Sequence, residues 1–139
     1  MTALPSQTEL KRLLERRAAL QAELDAHRDL LERIAGVLDA RSRGHGRMEL
    51  AVELGPGFTA EGVVGDTARI IVNSGLEDLW LDLPIEGSQD FVKKRIALLE
   101  RRLDDLEKPI KQMKQEYALV AKTLRDAFQL PDDDPTTTA

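Results

Sequence analysis

Met48-Glu49-Leu50-Ala51-Val52-Glu53-Leu54-Gly55-Pro56-Gly57-Phe58, followed by Arg69-Ile70-Ile71-Val72-Asn73 and Leu79-Trp80-Leu81-Asp82-Leu83, is the stretch on which the fold turns. Met48, Leu50, Val52 and Leu54 alternate with Glu49, Ala51 and Glu53, the period of a strand with one wet face. Gly55-Pro56-Gly57 is turn chemistry, and a second strand is expected over about Phe58–Val64. A break at Gly65-Asp66 precedes the β-branched run Arg69–Asn73. Ser74-Gly75 and the acidic pair Glu77-Asp78 separate that run from Leu79–Leu83, which alternates again before Pro84 ends it. Short strands punctuated by glycine read as two successive hairpins within residues 48–83.

Outward from this stretch the period changes on both sides. Upstream, Leu10, Leu13, Arg17, Leu20, Leu24, His27, Leu31, Ile34 and Leu38 follow alternating steps of three and four. Downstream, Val92, Ile96, Leu99, Leu103, Leu106, Ile110, Met113, Tyr117, Val120, Leu124 and Ala127 do the same. Such spacing lays an apolar stripe along one side of a helix, so each helix needs a partner, and each is the other's nearest candidate. Ser6-Gln7-Thr8-Glu9 reads as a capping box opening a helix over residues 6–41, and Arg41-Ser42-Arg43-Gly44 supplies its stop. Ser88 is the expected N-cap of a second helix over residues 88–129, and residues 131–139 read as a disordered acidic tail. Gly36 lies inside the first helix and weakens it by about 1 kcal/mol relative to alanine. Pro109 interrupts the second seam without shifting its register, which predicts a kink rather than an end.

If the strands reverse the chain, the helices run antiparallel. Leu38 then faces Val92, Ile34 faces Ile96, Leu31 faces Leu99, Leu20 faces Ile110 and Leu13 faces Tyr117. The polar seam positions fall opposite apolar ones, His27 against Leu103 and Arg17 against Met113. Arg17 can lay its stem on the seam and keep its head in water. His27 fits either a register-setting, half-exposed seam position or a switch near neutral pH. The expected fold class is α+β: a long antiparallel two-helix coiled coil with two β-hairpins between the helices, as a single domain over residues 1–139.

Composition limits the chemistry. Charged residues make up 32% and aromatic residues 4%, which suits a narrow seam between wet faces better than a deep core. The net charge of −5 argues against nucleic acid as the main partner, since phosphate neutralisation needs a basic field. The basic runs Lys93-Lys94-Arg95 and Arg101-Arg102 are interleaved with acids and read as a solvated helix face. With no cysteine there is no thiol nucleophile, disulfide or thiolate zinc site. No carboxylate–histidine cluster, phosphate-binding Gly-Lys loop or bilayer-length apolar run is visible, so no cofactor, metal or catalytic residue is expected. The N-terminus lacks a charged region followed by an apolar run, which predicts no secretory signal and an intracellular protein of the cytosol or nucleus.

At the hairpins a resemblance becomes specific. Gly65-Asp66-Thr67-Ala68-Arg69-Ile70-Ile71-Val72 resembles the Pro-Asp-Thr-Ser-Lys/Arg-Ile/Val-x-Val segment of α-class prefoldin subunits. Gly75, Leu79-Trp80-Leu81-Asp82 and Asp90-Phe91-Val92-Lys93-Lys94-Arg95 fall where that class has corresponding motifs. Met48–Gly55 followed by Phe58 is similar to the UXT (ubiquitously expressed transcript) branch of prefoldin-like proteins. Gly65 stands in place of the usual proline and Ala68 in place of the usual serine.

The resemblance implies a subunit of a hetero-oligomer, a hexamer of α- and β-type subunits joined through their hairpins. Strand edges left open on a lone chain point the same way. On this reading Val52, Leu54, Phe58, Ile70, Ile71, Val72, Leu79, Trp80 and Leu81 are candidate assembly residues. Leu4, Leu10, Leu13, Leu14, Leu124, Phe128 and Leu130 form a candidate client-binding tip at the free ends of the helices. The implied function is ATP-independent holding of unfolded or unassembled proteins by a chaperone or co-chaperone, with any ATP use belonging to an AAA-ATPase partner assembly. The alternative is a structural coiled-coil adaptor or transcription co-regulator that holds no client. Neither reading needs a membrane or direct contact with nucleic acid.

Overall fold

The structure is a computed structural model and describes residues 7–129. Helix α1 (Gln7–Ser42) is followed by strands β1 (Met48–Gly55), β2 (Phe58–Val64), β3 (Arg69–Asn73) and β4 (Trp80–Pro84), and then by helix α2 (Ile85–Phe128). This is the α+β arrangement expected, two long helices with two hairpins between them. The described residues fall into two compact units, one of residues 7–21 and 101–129, the other of residues 22–100. The expected cap at Ser6 and the acidic tail lie outside the described residues.

The unit of residues 22–100 holds both hairpins and the main core. Ile34, Ile85 and Val92 are buried together, with Leu31, Leu38, Ile70, Phe91 and Ile96 packed against them. These are the seam residues of the two helical stretches plus one strand residue, so the seam is the core here. Helix α1 stops as its sequence suggests. Gly44 takes φ of 84°, His45 N–H donates to Ala40 O at 2.9 Å, and Gly44 N–H donates to Arg41 O at 3.0 Å. This pair of bonds is a Schellman motif, which only a residue tolerant of positive φ completes without strain.

The start of α2 corrects the sequence reading. The helix begins at Ile85, and Ser88 is not its cap but a fully buried residue of its first turn. Its hydroxyl donates backward to Ile85 O at 2.7 Å. A backbone carbonyl does part of the capping instead: Ala68 O accepts from Ile85 N–H at 2.8 Å. Ile85 is 3% exposed, so starting the helix there carries an apolar side chain into the core.

Each hairpin is a separate two-stranded antiparallel sheet. In β1–β2, Met48 pairs with Val64 and Glu53 with Thr59, and the register then shifts before Gly55 meets Phe58 at the Pro56-Gly57 turn. Gly57 has φ of 79°, the left-handed second position that follows proline in a tight turn. In β3–β4, Arg69 pairs with Pro84 and Asn73 with Trp80.

The second hairpin is tied down at both ends. At its entry, Asp66 accepts from Ala68 N–H at 2.9 Å, and the buried Thr67 hydroxyl donates to Gly46 O at 2.9 Å while accepting from Arg41 Nη1 at 3.2 Å. This gives the Asp66-Thr67 motif a physical role: it fastens the strand to the loop leaving α1. At its turn, Asn73 accepts from Gly75 N–H at 2.9 Å, and the Ser74 hydroxyl donates to Leu79 O at 2.7 Å. Gly75 lies so close to Arg95 that a Cβ would come within 2.6 Å of the guanidinium. Arg95 in turn pairs with Glu23 at 2.8 Å with only 13% of its side chain exposed, joining the α1 and α2 stretches of this unit beneath the turn. His27 sits beside this pair, half-buried, its Nδ1 donating to Glu23 O at 2.7 Å.

In the unit of residues 7–21 and 101–129, Leu20, Leu103 and Ile110 are buried along the two helical stretches. Arg17, a charged seam residue, keeps its head at the surface and pairs with Glu107 at 3.3 Å. Helix α2 passes through Pro109 without ending, because the flanking seam residues Leu106 and Ile110 remain packed.

Candidate protein-binding surfaces

Strand pleating sorts the first hairpin into two unlike faces. Met48, Leu50 and Val52 lie opposite Val64, Gly62 and Ala60 on one face, while Glu49, Ala51 and Glu53 lie opposite Val63, Glu61 and Thr59 on the other. Gly62 leaves room for Val52, whose Cγ2 would stand 2.8 Å from a Cβ there. Among the described residues the apolar face is only partly covered: Met48, Leu50 and Val52 are each 37% exposed, and Leu54 and Phe58 at the turn are 71% and 72% exposed. A two-stranded ribbon with an open apolar face is marginal in water by itself and presents unpaired backbone groups along both edges.

The second hairpin has one face turned inward. Ile70, Val72, Leu81 and Leu83 share the face directed at the helices, and Val72 is buried at 4% exposure. Of the expected assembly residues, Ile70, Val72 and Leu81 therefore belong to the chain's own packing. Ile71 and Trp80 lie on the outward face, 68% and 61% exposed, beside the Arg69–Asp82 ion pair at 2.9 Å. Leu79 precedes β4 in the turn and is exposed, as is Leu76. The residues that the structure leaves on offer are thus Val52, Leu54 and Phe58 on one hairpin and Ile71, Leu79 and Trp80 on the other. Met48, Leu50, Val63 and Leu76 join them; only the strand alternation of Met48 and Leu50 announced any of these four in the sequence.

The expected tip residues divide differently. Leu10, Leu13 and Leu14 are half-buried, and Leu10 and Leu14 line a recess of about 460 Å³ with Tyr117 and Lys114. Leu124 and Phe128 are exposed on α2, as is Leu119, which lies off the seam and escaped the sequence reading for that reason. Leu4 and Leu130 lie outside the described residues.

Among the described residues no group of three or more His, Cys, Asp or Glu side chains could hold a metal ion. No helix among the described residues is long and apolar enough to cross a membrane. What the surfaces share is exposed apolar side chains, carried on strands and turns at the hairpins and on α2 at Leu119, Leu124 and Phe128.

Comparison with known proteins agrees with this geometry. The chain is 26% identical to Protein UXT of Bos taurus over 123 residues, covering 86% of this chain and 74% of that protein. It is 25% identical to Protein UXT of Rattus norvegicus over the same length and coverage. The pattern of the Prefoldin subunit family matches residues 6–129, nearly the full length, and the chain belongs to that family.

Proposed function

We propose that this chain is a non-enzymatic subunit of a prefoldin or prefoldin-like hetero-oligomeric co-chaperone. It joins other α- and β-type subunits through its hairpins and holds unfolded or unassembled proteins at the ends of its helices, without ATP. The observation that carries the assembly half is the first hairpin, which has no buried residue along either strand and exposes Leu54 and Phe58 most of all. Hiding such a hairpin in a shared sheet removes apolar surface from water and pairs the open strand edges at the same time. Exposed Leu119, Leu124 and Phe128 support the client-holding half. Similarity to UXT proteins favours a prefoldin-like module that works beside an AAA-ATPase co-chaperone, in the cytosol or nucleus.

The test is purification of the tagged chain from its own cells with mass measurement of what accompanies it. A mixed complex containing other prefoldin-type subunits is expected. A self-contained homodimer that fails to suppress aggregation of an unfolding protein sinks the proposal and leaves a structural adaptor. Leu54→Asp with Phe58→Asp is expected to abolish the complex. Leu124→Asp with Phe128→Asp is expected to keep it and to weaken suppression of aggregation.

A further inference from the structure

A groove of about 580 Å³ runs where the C-terminal half of α1 meets both hairpins and the start of α2. Its floor is apolar, made by Ile34, Ile70 and Ile85, and one side is continuous with Met48 and Leu50 of the open hairpin face. Its polar lining is one-sided. Arg33, His45 and Arg47 line it, and no carboxylate does, on a chain whose net charge is −5. Arg33 is occupied on its own helix by Asp29 at 3.0 Å, whereas Arg47 and His45 have no ion-pair partner among the described residues.

Gly36 also lines this groove. It sits in mid-helix, its φ is not in the left-handed region, and a Cβ on it would meet nothing within 4 Å. Nothing within the described residues therefore calls for glycine, which weakens a helix interior. Close approach by something outside the chain does call for it, because the missing side chain lets another backbone come near the helix.

We propose that this groove seats a segment of a neighbouring subunit that carries apolar side chains flanked by carboxylates, with its backbone passing over Gly36. The inference rests on the assembly reading above. Continuity with the open hairpin face places the occupant in the assembly rather than among passing clients, and the basic rim selects an acidic segment over a basic one. The groove thereby serves as a selector of which subunit is accepted at this side.

The test uses the complex purified through the tagged full-length chain. In Arg47→Lys the introduced amine can be coupled by a carbodiimide to a carboxylate in contact with it, forming an amide with loss of water as the reagent becomes its urea. Mass mapping is expected to find Lys-coupled peptides from one neighbouring subunit, each with its Asp or Glu next to apolar residues. An intact complex that gives no intersubunit coupling at this position overturns the groove proposal and leaves the assembly reading standing. Absence of any mixed complex overturns both. Gly36→Leu supplies the second arm, since it raises helix propensity and so keeps the chain folded. Its expected result is loss of that one subunit from the complex, with at least a tenfold drop in its recovery; undiminished recovery overturns the proposal.

Discussion

The two hairpins have nearly the same length of chain and opposite allegiances. β3–β4 turns Val72 into the chain's own core, is fastened at its entry by Thr67, and rests its turn on Arg95. β1–β2 has no buried residue along either strand. The second hairpin is thus part of what makes the isolated chain fold. The first adds no buried residue to that core. The contrast teaches that apolar content alone does not assign a strand to a core; what matters is how fully another element of the same chain covers its apolar face.

The largest effect expected from breaking this contrast comes from placing one charge in each hairpin. Val72→Asp buries a carboxylate without a partner and costs several kcal/mol, on the order of the chain's whole stability. Leu54→Asp, 71% exposed beside the turn of the first hairpin, changes the stability of the isolated chain by no more than about 0.5 kcal/mol. Thermal unfolding followed by circular dichroism should show the first variant unfolded or nearly so and the second melting with the parent. The assembled state should reverse the ranking for Leu54→Asp, which is expected to be folded yet absent from the complex. Equal destabilisation by the two changes would mean that the first hairpin is already covered in the isolated chain.

A smaller effect separates the two turns. Gly75 and Gly57 both take positive φ, 88° and 79°. Alanine at either costs about 1–2 kcal/mol of local backbone strain. At Gly75 the new Cβ also meets the Arg95 guanidinium, and the turn is part of the folded unit. Gly75→Ala should therefore lower the melting temperature by a few degrees. Gly57→Ala should leave the melting temperature nearly unchanged, since a hairpin with no buried residue can adjust without disturbing the core. Hydrogen exchange of the β1–β2 amides is the measurement that registers it.

Thr67→Val tests the tether at the entry to the second hairpin. It keeps the volume and removes the hydroxyl that links Gly46 O to Arg41. The expected cost is about 1 kcal/mol, because water can replace part of what is lost at the exposed Gly46 end. The matching measurement is the melting temperature of the isolated chain, which should fall by less than for Gly75→Ala.

Much of this arrangement was legible in the sequence because it is periodic. Steps of three and four announced the helices, steps of two announced β1, and Gly44 announced the end of α1. The inward face of the second hairpin was not legible. Its outward face mixes Ile71 and Trp80 with Arg69, Asn73 and Asp82, and those two apolar residues blurred an alternation that Leu81, Asp82 and Leu83 only partly carry. Ser88 misled because serine next to glycine at a helix boundary is ordinary capping chemistry. Here the free N–H at the helix start is met by a carbonyl seventeen residues upstream, Ala68 O, a contact that exists only once the hairpin has docked. The groove was illegible for a similar reason: Gly36, Arg47 and Ile85 share it but are far apart along the chain.

The smallest expected effect distinguishes two ion pairs within the same unit. Arg28–Glu100 and Arg95–Glu23 both join the α1 and α2 stretches, at 3.2 Å and 2.8 Å. In the first pair about half of each side chain is exposed, so water competes for both partners. Arg28→Ala should cost under about 1 kcal/mol, and less at high salt. Arg95 has 13% of its side chain exposed and its Nε is buried without a partner, so its charge is already partly desolvated and the pair with Glu23 offsets that cost. Glu23→Gln should therefore be felt more than Arg28→Ala, and should remain so as salt is raised. If both variants lose their effect in high salt alike, the Arg95 pair behaves as a surface contact, and the second hairpin's turn then rests on packing against the guanidinium rather than on the fixed charge beneath it.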